Sequence, residues 1–205
     1  AAVQYLFAHE IQPSDTGAGD EAFWDLHMAK KGARAFAEDL IKGVLAHLPA
    51  IDGCIQLKKE HRLTGMEIES VHLTVPHLVL ELTGKRTPQV GLEGKFSVFY
   101  AAAVALMQGA AGEKQFSDKL AKDPTVVALR DKVTATVDPA IGPEQVRVVL
   151  TTKDGRKLEK FVQDAIGSVK KPMSDAALEA KFSDLADDVI PAAKARKVMD
   201  LCWGV

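Results

Sequence analysis

A chain of 205 residues, 47% hydrophobic and 26% charged, can bury a sizeable core and makes one domain, or one domain with an appendage. Its 26 Lys and Arg against 28 Asp and Glu give a net charge of −2, so no general field draws in nucleic acid or an anionic membrane, and any anion site must be local. No stretch approaches the roughly 20 apolar residues of a membrane span, and the Ala1–Tyr5 start lacks the basic and apolar regions of a signal peptide. The expected location is therefore the cytoplasm or an organelle matrix.

Residues 12–21 (QPSDTGAGDE) are nearly devoid of apolar side chains and read as a loop. From Phe23, the residues Leu26, Ala33, Phe36, Ala37, Leu40 and Ile41 recur at helical spacing, with Lys30, Lys31, Arg34 and Glu38 between them, which predicts an amphipathic helix. A second helix is predicted over Ala50 to Arg62, burying Ile51, Cys54 and Ile55. After Thr64-Gly65 the alternation of Ile68, Ser70, His72 and Thr74 with Glu69, Val71, Leu73 and Val75 changes the period to two and predicts a half-buried strand, with room to continue past Pro76 as an edge or bulged strand.

Ser97 is placed to cap a helix through Phe99, Ala103 and Leu106 that Gly109 ends. Asp123-Pro124 is an N-cap and N1 pair for a short helix through Leu129. Two strands, Gln145 to Thr152 and Arg156 to Gln163, are joined by Lys153-Asp154-Gly155-Arg156, whose Asp-Gly predicts a type I′ hairpin. Ser174 caps a further helix through Leu178, Phe182 and Leu185, and Pro191 opens the last one, ending near Trp203. The hairpin excludes a wholly parallel sheet. The expected fold is α+β: a small sheet with helices packed on one face, divided as a helical appendage over 1–49, a domain over 50–190 and a C-terminal helix over 191–205.

Cys54 and Cys202 form no C-x-x-C pair, so neither a zinc site nor a disulfide scaffold is expected, and both read as small buried hydrophobes. His72 and His77 lie five apart on or just after a strand and do not point as neighbours from one face, which argues against a metal pair. The phosphate-loop, dinucleotide, zinc-protease and serine-hydrolase signatures are absent from the sequence.

Four short motifs in order resemble the smaller α+β domain of the 2-methylcitrate dehydratase family (MmgE/PrpD), which includes cis-aconitate decarboxylase and iminodisuccinate epimerase. They are Pro49-Ala50-Ile51-Asp52 with His61-Arg62-Leu63 and Glu67-Ile68-Glu69-Ser70-Val71; Gly94-Lys95-Phe96-Ser97-Val98-Phe99-Tyr100-Ala101; Phe116-Ser117-Asp118 with Asp123-Pro124, Val133 and the turn at Asp154-Gly155; and Pro172-Met173-Ser174-Asp175 with Lys181-Phe182. Family enzymes are longer, with a large helical domain that precedes this part and contributes half of the active-site cleft; residues 1–41 are too few to replace it.

The resemblance implies chemistry at a carbon next to carboxylates, namely loss of water or carbon dioxide or epimerisation, without a metal or an organic cofactor. Such reactions need cations for the carboxylates, a base, and an acid for the leaving group. It further implies a lysine ahead of the Pro-Ala-Ile-Asp helix followed by a histidine or cysteine; here Lys42 and His47 stand at the five-residue spacing similar to that of cis-aconitate decarboxylases, although the run on to Asp52 is shorter than the family's. Lys42, His47 and Tyr100 are thus the candidate catalytic residues, and Lys95 and Ser97 the candidate substrate-binding residues. Each also has a plain structural reading: Lys42 as solvated charge, His47 as a helix-end cap, Ser97 as an N-cap and Tyr100 as a half-buried core aromatic.

Two functions stand at this point. One is a cofactor-independent carbon–oxygen or carbon–carbon lyase acting on a small di- or tricarboxylate. The other is a truncated or diverged relative acting as a non-catalytic binding module. The expected partners are a small carboxylate and either a second copy of the chain or a chain supplying the helical half. The strip of Phe23, Leu26, Phe36 and Leu40, with Leu201 and Trp203, is expected to pack together or across a two-fold axis.

Overall fold

The computed structural model describes residues 47–168 and 170–204; Lys42 and the helix predicted from Phe23 lie outside the described residues. Helix α1 spans Leu48–His61, with Pro49 in its first turn, where a missing N–H costs nothing. Lys58, Lys59 and His61 lie beside its C-terminal carbonyls, and Arg62 turns the chain away in the left-handed conformation at φ 53°. The helix buries Ile51, Cys54 and Leu57, whereas Ile55 is only partly covered.

Strand β1 (Ile68–Val75) follows with the expected alternation from Ser70 on, hiding Val71, Leu73 and Val75, whereas Ile68 is buried too because the register with its antiparallel neighbour shifts between Ile68 and Ser70. It does not run on past Pro76. Pro76 instead caps helix α2 (His77–Thr83), and β1 is a central strand paired on both sides, where a residue without an N–H cannot sit. Helices α3 (Gly91–Gly94), α4 (Val98–Gln108), α5 (Asp118–Ala121) and α6 (Pro124–Arg130) lead to strand β2, Val133–Val137. As the residues predict, Ser97 caps α4, Gly109 ends it at φ 72°, and the Asp123 carboxylate caps α6 by accepting from Thr125 N and Val126 N. Every residue of α4 from Val98 to Leu106 is buried, so this alanine-rich helix is the centre of the core.

Strands β3 (Val146–Thr152) and β4 (Lys157–Val162) form the predicted hairpin. Its turn is not type I′, which needs positive φ at both Asp154 and Gly155. Only Gly155 has it, at 86°; Gly155 N donates to Thr152 O and Thr152 N to Arg156 O, which makes a three-residue loop with a left-handed glycine. The hydroxyl of Thr152 donates to the Asp154 carboxylate, which also accepts from Arg156 Nε at 2.8 Å, contacts that the dipeptide alone does not reveal.

The sheet order is β2-β1-β3-β4, with β1 and β2 parallel and the other pairs antiparallel. Helices α1 and α4 cover the face that carries Val71, Leu73, Val148, Leu150 and Val162. A Cβ on Gly53 of α1 would meet Val148 Cγ2 at 2.7 Å, so glycine there lets the helix lie close on the sheet. The opposite face is polar: His72 bonds Thr134 Oγ1 at 2.9 Å through Nδ1 and Thr136 Oγ1 at 3.0 Å through Nε2, tying β1 to β2. With Thr134 Oγ1 also donating to Val71 O, that hydroxyl is placed to accept from the ring's Nδ1.

Helices α7 (Asp175–Ala186), capped by Ser174, and α8 (Ala192–Trp203), opened by Pro191, close the chain as a helical hairpin. The fold is α+β, as expected. Cys54 is fully buried and its thiol is pushed up to about 12 by desolvation, but Cys202 is exposed, contrary to its expected burial: it shares the α8 face of Ala195 and Met199 but sits in the last turn of the helix, beside the exposed Trp203.

Candidate functional site

Three of the candidate residues meet at the start of α4. Ser97 is 1% exposed, and its Oγ accepts from Tyr100 N at 3.1 Å while its carbonyl accepts from Ala101 N at 2.9 Å. The N-cap position thus fixes the first turn and leaves Tyr100 facing inward. Tyr100 is fully buried, not half-buried; its ring tilts against Phe116 with centroids 5.8 Å apart, and its hydroxyl donates to Gln115 O at 2.7 Å. Gly94 is needed beside it, since a Cβ there would lie 2.8 Å from the ring.

Burial, reinforced by the negative charge of Asp123, pushes the Tyr100 phenol up to about 12. The group therefore stays protonated at neutral pH, and its proton is the one donated to Gln115 O. Lys95, half-exposed, reaches Glu113 at 2.8 Å, on the short turn Glu113–Gln115 that also supplies the carbonyl for Tyr100. Both side chains thus hold the same turn.

Two further cations border this helix start, and the sequence reading passed over both. Lys85 pairs with Glu93 at 2.8 Å, a bond that, together with the N–H of Gln89, holds the Glu93 carboxyl below its usual range. The Arg86 guanidinium lies 4.1 Å over the Phe99 ring while Nη1 donates to Val133 O at 3.2 Å. The signal for them was faint: Lys85-Arg86 looks like solvated charge until the backbone pairing of Gly84 with Ser97, and of Lys85 N with Phe96 O, sets the two beside α4.

His47 stands immediately before α1, and its carbonyl accepts from Ala50 N at 3.1 Å and Ile51 N at 3.2 Å. Its side chain is 4% exposed and makes no capping bond, so the helix-end cap is its backbone rather than its imidazole. Lys42 lies outside the described residues. Among the described residues no three His, Cys, Asp or Glu side chains are grouped to hold a metal ion. No helix there is long and apolar enough to cross a membrane.

The arrangement offers a protonated phenol and several cations around one helix start, which suits a proton donor among carboxylate-binding groups. Each cation already has a carboxylate or ring partner, so a bound anion would compete with Glu93 or Glu113. No curated protein sequence matches the chain significantly. Residues 45–204 match the MmgE/PrpD C-terminal domain, and the chain, with its mixed sheet, capped α4 and closing helical hairpin, belongs to that family.

Proposed function

We propose that the chain is the smaller domain of a lyase that acts on a small di- or tricarboxylate of the 2-methylcitrate or cis-aconitate type. The observation that carries this reading is the family match over residues 45–204, which takes in Tyr100, Ser97 and Lys95 on one helix start. In the dehydration, a base removes a proton from a carbon next to a carboxylate and the hydroxyl on the neighbouring carbon leaves as water, so an alkene forms with no net redox change. Tyr100, which carries its proton at neutral pH, is the proposed acid for the leaving hydroxyl, and its raised pKa makes it a weaker donor than a free phenol until a substrate changes its surroundings. His47, with Lys42, is the proposed base, and Lys95 and the Ser97 hydroxyl are the proposed carboxylate contacts.

The contacts already made by these groups favour a second reading, a binding module without turnover. The Tyr100 hydroxyl is tied to Gln115 O, Ser97 caps α4, and Lys95 is paired with Glu113. Catalysis requires the Glu113–Gln115 turn to release Lys95 and Tyr100 together. Incubating the chain with 2-methylcitrate and with cis-aconitate, while following alkene absorbance and carbon dioxide release, tests the two readings. Turnover that Tyr100→Phe abolishes supports the lyase; carboxylate binding by calorimetry with no turnover of either compound supports the module.

A further inference from the structure

The Glu113–Gln115 turn is held from two sides. Toward the site, Glu113 pairs with Lys95 and Gln115 O accepts from Tyr100. Lys114, between them in sequence, reaches the other way, to Asp187 at 2.9 Å and Asp184 at 3.2 Å at the end of α7. Gly112 lies against the second of these carboxylates, since a Cβ built there would be 3.4 Å from Asp184 Oδ2. That end of α7 calls for a cation. It has Asp184 in its last turn and Asp187 as its C-cap but no basic residue there, so two carboxylates stand beside carbonyls that carry the negative end of the helix dipole. Lys114 supplies the charge from outside the helix, and its bonds to Asp187 and then Asp184 hold its ammonium above the ordinary lysine range. All three groups are open to solvent, so the contact is reversible and weakened by salt.

We propose that Lys114 is a positioning residue through which α7 holds the Glu113–Gln115 turn closed over the start of α4. The turn moves as a unit, because Gln115 N donates to Gly112 O and Phe116 N to Glu113 O, each at 3.0 Å, while Gly112 N donates to Gln115 Oε1 at 2.9 Å. Loosening Lys114 therefore loosens the partners of Lys95 and Tyr100 together. Any effect on turnover rests on the lyase reading; the closure of the turn does not, and it is measured without substrate.

Amide exchange of Gln115 and Phe116 in the full chain, followed by NMR, reads opening of the turn, and the amide of Leu57 within α1 reads unfolding. Lys114→Met should speed the first two at least about threefold and leave Leu57 unchanged. Asp184→Asn with Asp187→Asn should do the same, and Lys114→Arg should keep the wild-type rates. The phenol gives a second signature. Tyr5 is the only other tyrosine, so in a Tyr5→Phe background 3-fluorotyrosine labels position 100 alone, and fluorine NMR follows its titration. Opening the turn brings water to the phenol and lowers its pKa, whereas loss of a cation by itself raises it. A fall is expected in Lys114→Met and none in Lys114→Arg. Unchanged exchange in Lys114→Met or in the double Asn variant overturns the proposal, as does a phenol pKa that rises or stays put in Lys114→Met. Equal acceleration at Leu57 overturns it too, since Lys114 would then stabilise the whole domain rather than the turn.

Discussion

The Tyr100 hydroxyl donates to the Gln115 carbonyl at 2.7 Å, joining the most buried helix of the domain to the turn whose Glu113 holds Lys95. Replacing Tyr100 by Phe leaves that carbonyl without its donor and should cost on the order of 1–2 kcal/mol in urea unfolding. The pH dependence has a definite sign. The folded phenol keeps its proton up to about 12 against the ordinary 10.0, so in that window the folded state binds more protons than the unfolded state. Stability from this group is complete below about pH 10 and falls as pH rises through the window, a loss that alkaline unfolding of wild type should show and Tyr100→Phe should lack.

Asp52 makes the opposite kind of test, in acid. Burial raises its carboxyl above the ordinary value, against the lowering effect of the Ile166 N–H and the charge of Lys171. The folded state then holds the proton more tightly, so the contribution of Asp52 to stability declines as pH rises through the raised value. Asp52→Asn keeps an acceptor for Ile166 N and removes the ionisation; its unfolding free energy should show less decline than wild type as pH rises from the ordinary carboxylate range through the raised value. Asp52→Ala loses the acceptor and should be the less stable variant at every pH.

Gly53 and Val148 predict a coupled pair. A methyl at position 53 would sit 2.7 Å from Val148 Cγ2 and 3.2 Å from Val162 Cγ2, so Gly53→Ala should destabilise by about 1–3 kcal/mol. Val148→Ala opens a void of its own but removes the obstructing methyl. In a double-mutant cycle by chemical denaturation the combined loss should be smaller than the sum by at least about 0.5 kcal/mol; strict additivity would mean that α1 shifts instead.

Gly155 separates backbone strain from crowding. Nothing lies within 4 Å of a Cβ built there, yet φ is 86°. Gly155→Ala should cost about 1 kcal/mol and Gly155→Asn less, because asparagine tolerates left-handed conformations. By contrast, a Cβ on Gly91 would meet Phe116 O at 2.0 Å, so Gly91→Ala should be worse than either in thermal melts.

Much of the architecture was legible because its signals are local. Ser97, Asp123 and Ser174 cap the helices that their positions announce, and the period-two run from Ile68 ends where the strand ends. The misses share a different cause. Strand β2 is only Val133–Val137, with a single buried residue at its start, so it has little hydrophobic alternation to read; its threonines Thr134 and Thr136 serve His72, 62 and 64 residues away. The turn type was missed because the strands pair one residue wider than the Asp-Gly dipeptide announces, Thr152 with Arg156. At the site, Ser97 and Tyr100 stood out by their motif, whereas the Glu113 and Gln115 contacts and the place of Arg86 depend on tertiary packing that no spacing encodes.

The central position of β1 has a consequence for the order of assembly. β1 is the first strand in the described chain, yet both of its neighbours come later, with β2 starting at Val133 and β3 at Val146. The β3–β4 hairpin closes over a three-residue loop and can form within microseconds, while β1 has two open edges until more than half of the domain has been made. During synthesis that strand is therefore the exposed template for wrong pairing. The long loops that must close before β1 pairs make its docking, rather than hairpin formation, the slow step of folding.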